Sequence, residues 1–241
     1  MKEINSPTKR ALLLSLLIVT AISSWQVFAK IPSAGKIVLV TGKAAALSSD
    51  GKTRTLKRGG PFYEGDTIET QRKSFVKLKY TDGGVMLLRP TTKLVVEKYK
   101  YPKTGVGKSV TNLVKGGLRA VTGVIAKRNR DNYKLKTPAA TMGVRGTDFT
   151  VRFCKGDCTD LEDYGAPAPD DGLYTGVNKG GIVLANAAGS QLYNVGQFGY
   201  IAGNNFKPRL LPSAPAIFVI DSLPDPTASN DNDFIEGNSC K

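Results

Sequence analysis

Histidine is absent from this chain of 241 residues. Without it, Cys-His and Ser-His-Asp nucleophilic catalysis are excluded. A zinc hydrolase would also lack its usual ligands. Cysteine is scarce: only Cys154, Cys158 and Cys240 occur. No apolar run beyond residue 29 is long enough to span a bilayer. The segment Gly143-Val144-Arg145-Gly146-Thr147 lacks the lysine of a phosphate-binding loop. Carboxylates for paired acid-base work are few. Asp66 with Glu69 or Asp82 can be nominated, but each sits in a turn-like motif where capping is the better account. The inventory points away from an enzyme, and the expectation is a chain with no cofactor and no metal.

The N-terminus is distinctive. Lys2, Lys9 and Arg10 precede an apolar run from Ala11 to Ile22, and Val27-Phe28-Ala29 places a small residue at a cut. This is the pattern of a Sec-type signal peptide over residues 1–29. The run is short for a spanning anchor, which needs about 20 apolar residues. No cysteine follows it, which argues against a lipoprotein. Export to the periplasm follows as an expectation, with no membrane span after cleavage.

An exported chain meets an oxidising compartment. Cys154 and Cys158 enclose Lys155-Gly156-Asp157, a spacer able to turn, and a disulfide between them is expected. Cys240 is then free or intermolecular.

Charge is unevenly spread. The net charge is +14, yet residues 30–136 hold 24 basic and 7 acidic side chains, and residues 137–241 hold 7 and 12. Lys98, Lys100, Lys103 and Lys108 form one basic cluster, and Lys127, Arg128 and Arg130 form another. A solvated surface explains them without function. The functional alternative is contact with an anionic partner. Export makes nucleic acid an improbable one, which leaves an envelope protein or an anionic glycan such as peptidoglycan or lipopolysaccharide. Tyr99 and Tyr101 interleave with the first cluster, either stacking on sugar rings or forming the inner face of a strand.

Period-two patterning dominates. In Ser74–Tyr80, Val76, Leu78 and Tyr80 share one face and Lys77 and Lys79 the other. Asp82-Gly83-Gly84 supplies a turn, Val85–Leu88 is apolar on both faces, and Leu94–Tyr101 is a longer strand. Gly105–Arg130 is ambiguous. Its glycines suggest a strand to about Lys115, a turn, then a short helical piece near Ala120–Ala126. The acidic stretch 159–171 has carboxylates enough for calcium but not the spacing of an EF-hand loop. Residues 172–202 return to strands, four short ones being expected. Residues 205–241, rich in Pro, Asp, Asn and Ser, are expected to form a flexible tail.

Thr137-Pro138, then Gly143-Val144-Arg145-Gly146-Thr147, then an aromatic, form the most specific stretch of the chain. Two glycines three apart between extended segments imply a sharp turn or a close approach. Arg145 stands as one charge between glycines, with Asp148 a local candidate partner. Upstream lie Gly35–Gly42, Gly65-Asp66-Thr67-Ile68-Glu69-Thr70, Val76–Gly84 with its Asp82-Gly83 turn, and Gly116-Gly117-Leu118-Arg119. In this order the motifs resemble those of the FecR-type domain, a periplasmic module of Gram-negative bacteria. The resemblance covers residues 35–151. It implies a β-sandwich or β-roll of many short antiparallel strands, with at most one short helix, and a signalling or binding role. The best-known members relay an occupied outer-membrane receptor to a cytoplasmic anti-sigma segment. This chain has an expected signal peptide where they have that segment, which places direct sigma-factor control in doubt. The expected organisation is a leader (1–29), one β domain (30–204) and a tail (205–241). The expected function is a non-catalytic periplasmic binding, scaffold or signalling module for an envelope protein, with anionic glycan binding as the alternative.

Overall fold

The computed structural model describes residues 32–102, 104–158 and 167–219. The expected leader, Lys103, residues 159–166 of the acidic stretch and Cys240 lie outside the described residues. The unit that begins at Ser33 is built almost wholly of strands.

Its strands are β1 (Ser33–Thr41), β2 (Ala44–Leu47), β3 (Thr53–Thr55), β4 (Pro61–Tyr63), β5 (Thr67–Thr70), β6 (Phe75–Tyr80), β7 (Val85–Leu88), β8 (Lys93–Lys100) and β9 (Lys108–Val121). A short helix, α1 (Val124–Arg128), and a 3-10 turn, Arg130–Asn132, lead to β10 (Tyr133–Lys136). β11 (Thr141–Cys154), β12 (Gly172–Asn186), β13 (Gly189–Asn194), β14 (Phe198–Ile201), β15 (Arg209–Leu211) and a helical turn, α2 (Ala216–Val219), follow.

The strands form one sheet whose main path runs β15-β14-β12-β11-β10-β9-β7-β6-β1-β4, with β13 beside β12. A branch, β3-β2-β5-β8, joins at β9. Pairing is antiparallel except for β10 on β9, which is parallel. The long strands change partners along their length. β9 pairs with β8 and β10 in its first half and with β7 and β11 in its second. The change falls at Gly116, whose φ is +80°. A Cβ there would lie 2.5 Å from Thr92 Oγ1, so only glycine fits this close approach. β11 makes a similar change across a bulge between Arg145 and Asp148. Inner faces from both parts of the sheet then share one core. It holds Ile37, Leu78 and Met86, Ile68, Leu94 and Leu113, and Leu135, Met142, Phe149 and Leu184. Burying such side chains stabilises by roughly 1.5–3 kcal/mol each.

Four expectations are revised. β9 runs unbroken through Gly116 and Gly117 to Val121, because the glycine bends the strand without ending it, and the helix occupies only Val124–Arg128. Residues 172–186 form one strand, paired throughout with β11, where two were expected. Lys77 is buried at 6% exposure. It lies beside Leu87 on the sheet's second face, which is covered here. Finally, the sheet continues past residue 204: β15 pairs with β14, and Ile217 of α2 packs with Tyr174, Tyr200 and the cysteines.

Candidate functional site

The order of motifs in the sequence resolves into bonds that hold the sheet together. Asp66 is buried, pairs with the Arg54 guanidinium and accepts the Tyr63 N–H at 2.7 Å. The contact with Asp66 pushes the Arg54 pKa up. Gly65 donates its N–H to the Val96 carbonyl at 2.7 Å, tying this turn to β8. Asp82, also buried, accepts the Gly84 N–H at 3.1 Å within its own turn, Gly83 forming the tip. Its second carboxylate oxygen accepts the Ile125 N–H at 3.2 Å, and its carbonyl accepts that of Val124. One turn residue thus holds the start of α1.

Asp148 is taken by Arg119. Nε meets Oδ1 at 3.0 Å and a terminal nitrogen meets Oδ2 at 2.8 Å. Asn178 donates a third bond to Oδ1 at 3.1 Å. The partner expected for Asp148 was its near neighbour Arg145; the bidentate partner is 29 residues away. The side chain of Arg145 lies outside the described residues. Gly117 is wedged against Arg89 and Arg152. Thr147 and Thr122 exchange bonds: the Thr147 N–H donates to Thr122 Oγ1 at 2.9 Å, and the Thr122 N–H donates to the Thr147 carbonyl at 3.0 Å. Thr137 accepts the Ala139 and Ala140 N–H groups and closes the turn between β10 and β11, with Pro138 exposed.

The two glycines of the stretch differ. Gly146 has a φ of +58° within the bulge, while a Cβ on Gly143 would meet nothing within 4 Å, and its φ is not positive. The constraint expected of both belongs to Gly146 alone.

Cys154 and Cys158 form a disulfide with Cα atoms 5.4 Å apart. They pack with Tyr174 and Tyr200, whose rings stand 4.9 Å apart. Burial pushes the Tyr174 pKa up to about 12. Gly156 in the small loop donates to Asp171 at 2.6 Å. Asp66 and Asp82, the carboxylates open to an acid-base role, are thus committed to structural bonds, and Glu69 pairs with Lys93 at 2.7 Å. The space lined by Tyr80, Asp82, Met86, Ser109 and Tyr133 is about 10 Å³, room for about one water.

The basic clusters lie on neighbouring elements. Lys100 on β8 lies directly opposite Lys108 on β9, and both are exposed. Lys98 lies opposite Val110, which is flanked on its other side by Lys134 of β10. Ile125 of α1 packs over Gly107, where a Cβ would lie 2.7 Å from Ile125 Cγ1. That contact sets Ile125 of α1 beside the Lys100–Lys108 end of the hairpin, while exposed Lys127 lies with its Cγ over Gly146 of β11 and Arg128 is exposed next to it. Arg130 opens the turn into β10, whose Tyr133 sits next to Ser109.

The cations are not equivalent. Lys98 pairs with Glu64 at 3.1 Å. Burial alone would raise the Glu64 pKa, but the Tyr99 N–H and Lys98 outweigh it, and the net shift is downward. Lys136, farther along β10, pairs with Glu97 at 2.6 Å. Lys100, Lys108, Lys127, Arg128, Arg130 and Lys134 have no acidic partner among the described residues. Like charges directly opposed on a sheet are destabilising, so this surface carries a local cost. Lys134 was not among the candidates, although the alternation Tyr133-Lys134-Leu135-Lys136 places it on the outer face. Tyr99 points inward, its hydroxyl 2.9 Å from the Asp82 nitrogen, and cannot stack on a sugar. Half-exposed Tyr101 is left for that role.

A family model described as FecR protein matches residues 66–161. Two crystal structures of a candidate anti-sigma factor from Parabacteroides distasonis are similar over 62% of this chain, at 14% and 12% identity with TM-scores of 0.44 and 0.45. This chain spans 61% of the length of those chains. A cell surface anchoring domain aligns over 26% of this chain and 82% of its own, at 26% identity and a TM-score of 0.25. No curated protein matches the chain.

Proposed function

From the FecR domain at residues 66–161, we propose that the chain is an exported, non-catalytic module of the bacterial envelope that takes part in signalling by binding a protein partner. The observation that carries this reading is the joined basic surface of Lys100, Lys108, Lys127, Arg128, Arg130 and Lys134. Two clusters separated in sequence lie on neighbouring elements, and none of the six is matched by an acid among the described residues. An acidic face on a partner would remove the repulsion between Lys100 and Lys108 and gain attraction in the same step. The leader pattern at residues 1–29 supports export to the periplasm, with Lys30 as the first residue of the mature chain.

The test is a pull-down from periplasmic extract with wild type and with Lys100→Glu/Lys108→Glu. The protein retained by wild type is expected to be lost by the variant. Retention by both would overturn the basic surface as the contact. A second reading, peptidoglycan or lipopolysaccharide, is favoured by Tyr101 beside Lys100, since a tyrosine face stacks on sugar rings. Purified sacculi and lipopolysaccharide form the second arm. Binding to either, with no protein retained, would favour the glycan.

A further inference from the structure

The margins of the sheet differ in how they are closed. β4 is three residues long and begins with Pro61, β3 carries Arg54, and β15 carries Arg209. Short length, proline and charge are the usual devices that blunt a sheet edge. β13 has none of them. Its six residues, Gly-Ser-Gln-Leu-Tyr-Asn, hold no charge and no proline, and its register with β12 is free of bulges. Among the described residues it pairs with β12 alone.

The backbone phase of this edge follows from its turn. Asn186 and Gly189 flank the two residues Ala187 and Ala188 and are direct partners. They therefore form a hydrogen-bonded pair, and alternation makes Leu184/Gln191 and Ile182/Tyr193 the next ones. The main-chain groups of Ser190, Leu192 and Asn194 then point away from β12. Two side-chain contacts agree with this phase. The Asn194 N–H donates to Gln197 Oε1 at 2.7 Å, and Gln191 Nε2 donates to the Leu192 carbonyl at 2.9 Å. Among the described residues the Ser190 N–H and carbonyl and the Leu192 N–H have no partner, which leaves them for an incoming strand. Leu192 is 51% exposed and stands opposite Val183, itself 36% exposed.

We propose that β13 is a docking edge for an extended segment of a protein partner, which adds to the sheet as a further strand. The inference deepens the protein-partner reading and rests on it. The Ser190 and Leu192 groups would bond the incoming backbone, while exposed Leu192 would receive an apolar side chain opposite it. Charge selects a partner over a second copy of this chain. Two mature chains, each of net charge +12 from the 31 basic and 19 acidic residues of 30–241, repel each other, whereas a neutral or acidic segment is drawn in.

The test uses a display library of random ten-residue peptides selected on the purified full chain. Enriched peptides are expected to lack proline at their centre. N-methylation at alternate residues should weaken binding at least tenfold in one phase and leave the other phase unchanged. Leu192→Pro, which removes an N–H the fold does not use, should abolish binding while the melting transition stays cooperative. Should that variant not fold, the N-methyl series still decides. No enrichment, or binding indifferent to N-methylation, would overturn the proposal. So would wild type that sediments as a dimer and excludes peptides, which would assign the edge to a second copy. If a periplasmic partner is lost with Lys100→Glu/Lys108→Glu while the peptide test fails, the edge is wrong and the proposed function stands.

Discussion

Arg119 and Asp148 join β9 to β11 across their outer face, where Asp148 is only 3% exposed. A carboxylate held this deep depends on its donors, because removing the cation leaves a buried charge uncompensated. Arg119→Leu is therefore expected to destabilise by about 3–5 kcal/mol in urea unfolding. A loss below about 1 kcal/mol, the worth of a surface pair, would show that the contact is ornamental. The glycines of the neighbouring bulge give a paired comparison. Gly146→Val must place a β-branched residue at a φ of +58°, and should cost more than about 1 kcal/mol. Gly143→Val enters an extended strand with open space around it, and should stay within about 0.5 kcal/mol of wild type. Equal melting temperatures for the two variants would contradict the assignment. Glu64 sets a pH dependence. Its folded pKa lies below its ordinary value of 4.5. Its contribution is therefore present above that value and lost as pH falls through the lower, folded one. Glu64→Gln should melt below wild type at neutral pH and converge with it in acid, as thermal melts across the acid range would record.

At the scale of elements, α1 is too short to persist alone, since isolated helices under about 12–15 residues are marginal in water. It has no side-chain cap at Gly123. Asp82 supplies the missing acceptor from a turn 43 residues upstream, at the Ile125 N–H. Asp82→Ala should leave the Gly84 and Ile125 amides unsatisfied and cost about 1–3 kcal/mol per buried donor. Hydrogen exchange should then accelerate in Val124–Arg128 while β12 and β14 keep their protection. Uniform acceleration would count against a local anchor. The same variant would unseat Lys127 and Arg128 from the basic surface, so partner binding should weaken with it.

For the whole molecule, the partner changes of β9 and β11 matter most. They let inner faces from separate parts of one sheet meet in a single core. They also bring α1, the β8–β9 hairpin and the start of β10 to one place, which creates the joined basic surface. Binding through that surface should fall steeply with salt, because exposed charges are screened beyond about 8 Å at physiological ionic strength. Strand addition at β13 should be far less sensitive, since its contacts are main-chain bonds and an apolar side chain. Measuring binding by the charge-reversed and Leu192→Pro variants across a salt series separates the two contributions. If wild-type binding is flat with salt, the basic surface is not the contact.

Local pattern alone determined much of this protein. Alternation marks β6, the Asp82-Gly83 turn ends it, the doubly apolar Val85–Leu88 is buried on both faces, and the ordered motifs from Asp66 onward fall in the stretch that the FecR family model matches. The lysines of both clusters were equally legible, because charge is written directly in sequence. Tertiary structure alone decided which of those charges meet. Gly107 beneath Ile125 and the parallel pairing of β10 on β9 are contacts that periodicity does not encode. It likewise decided that Lys77 is buried, that Asp148 belongs to Arg119 and that Gly116 bends a strand without ending it. Period two reports which side of its own strand a residue occupies. It carries no information on what covers that side, or on which distant strand lies alongside.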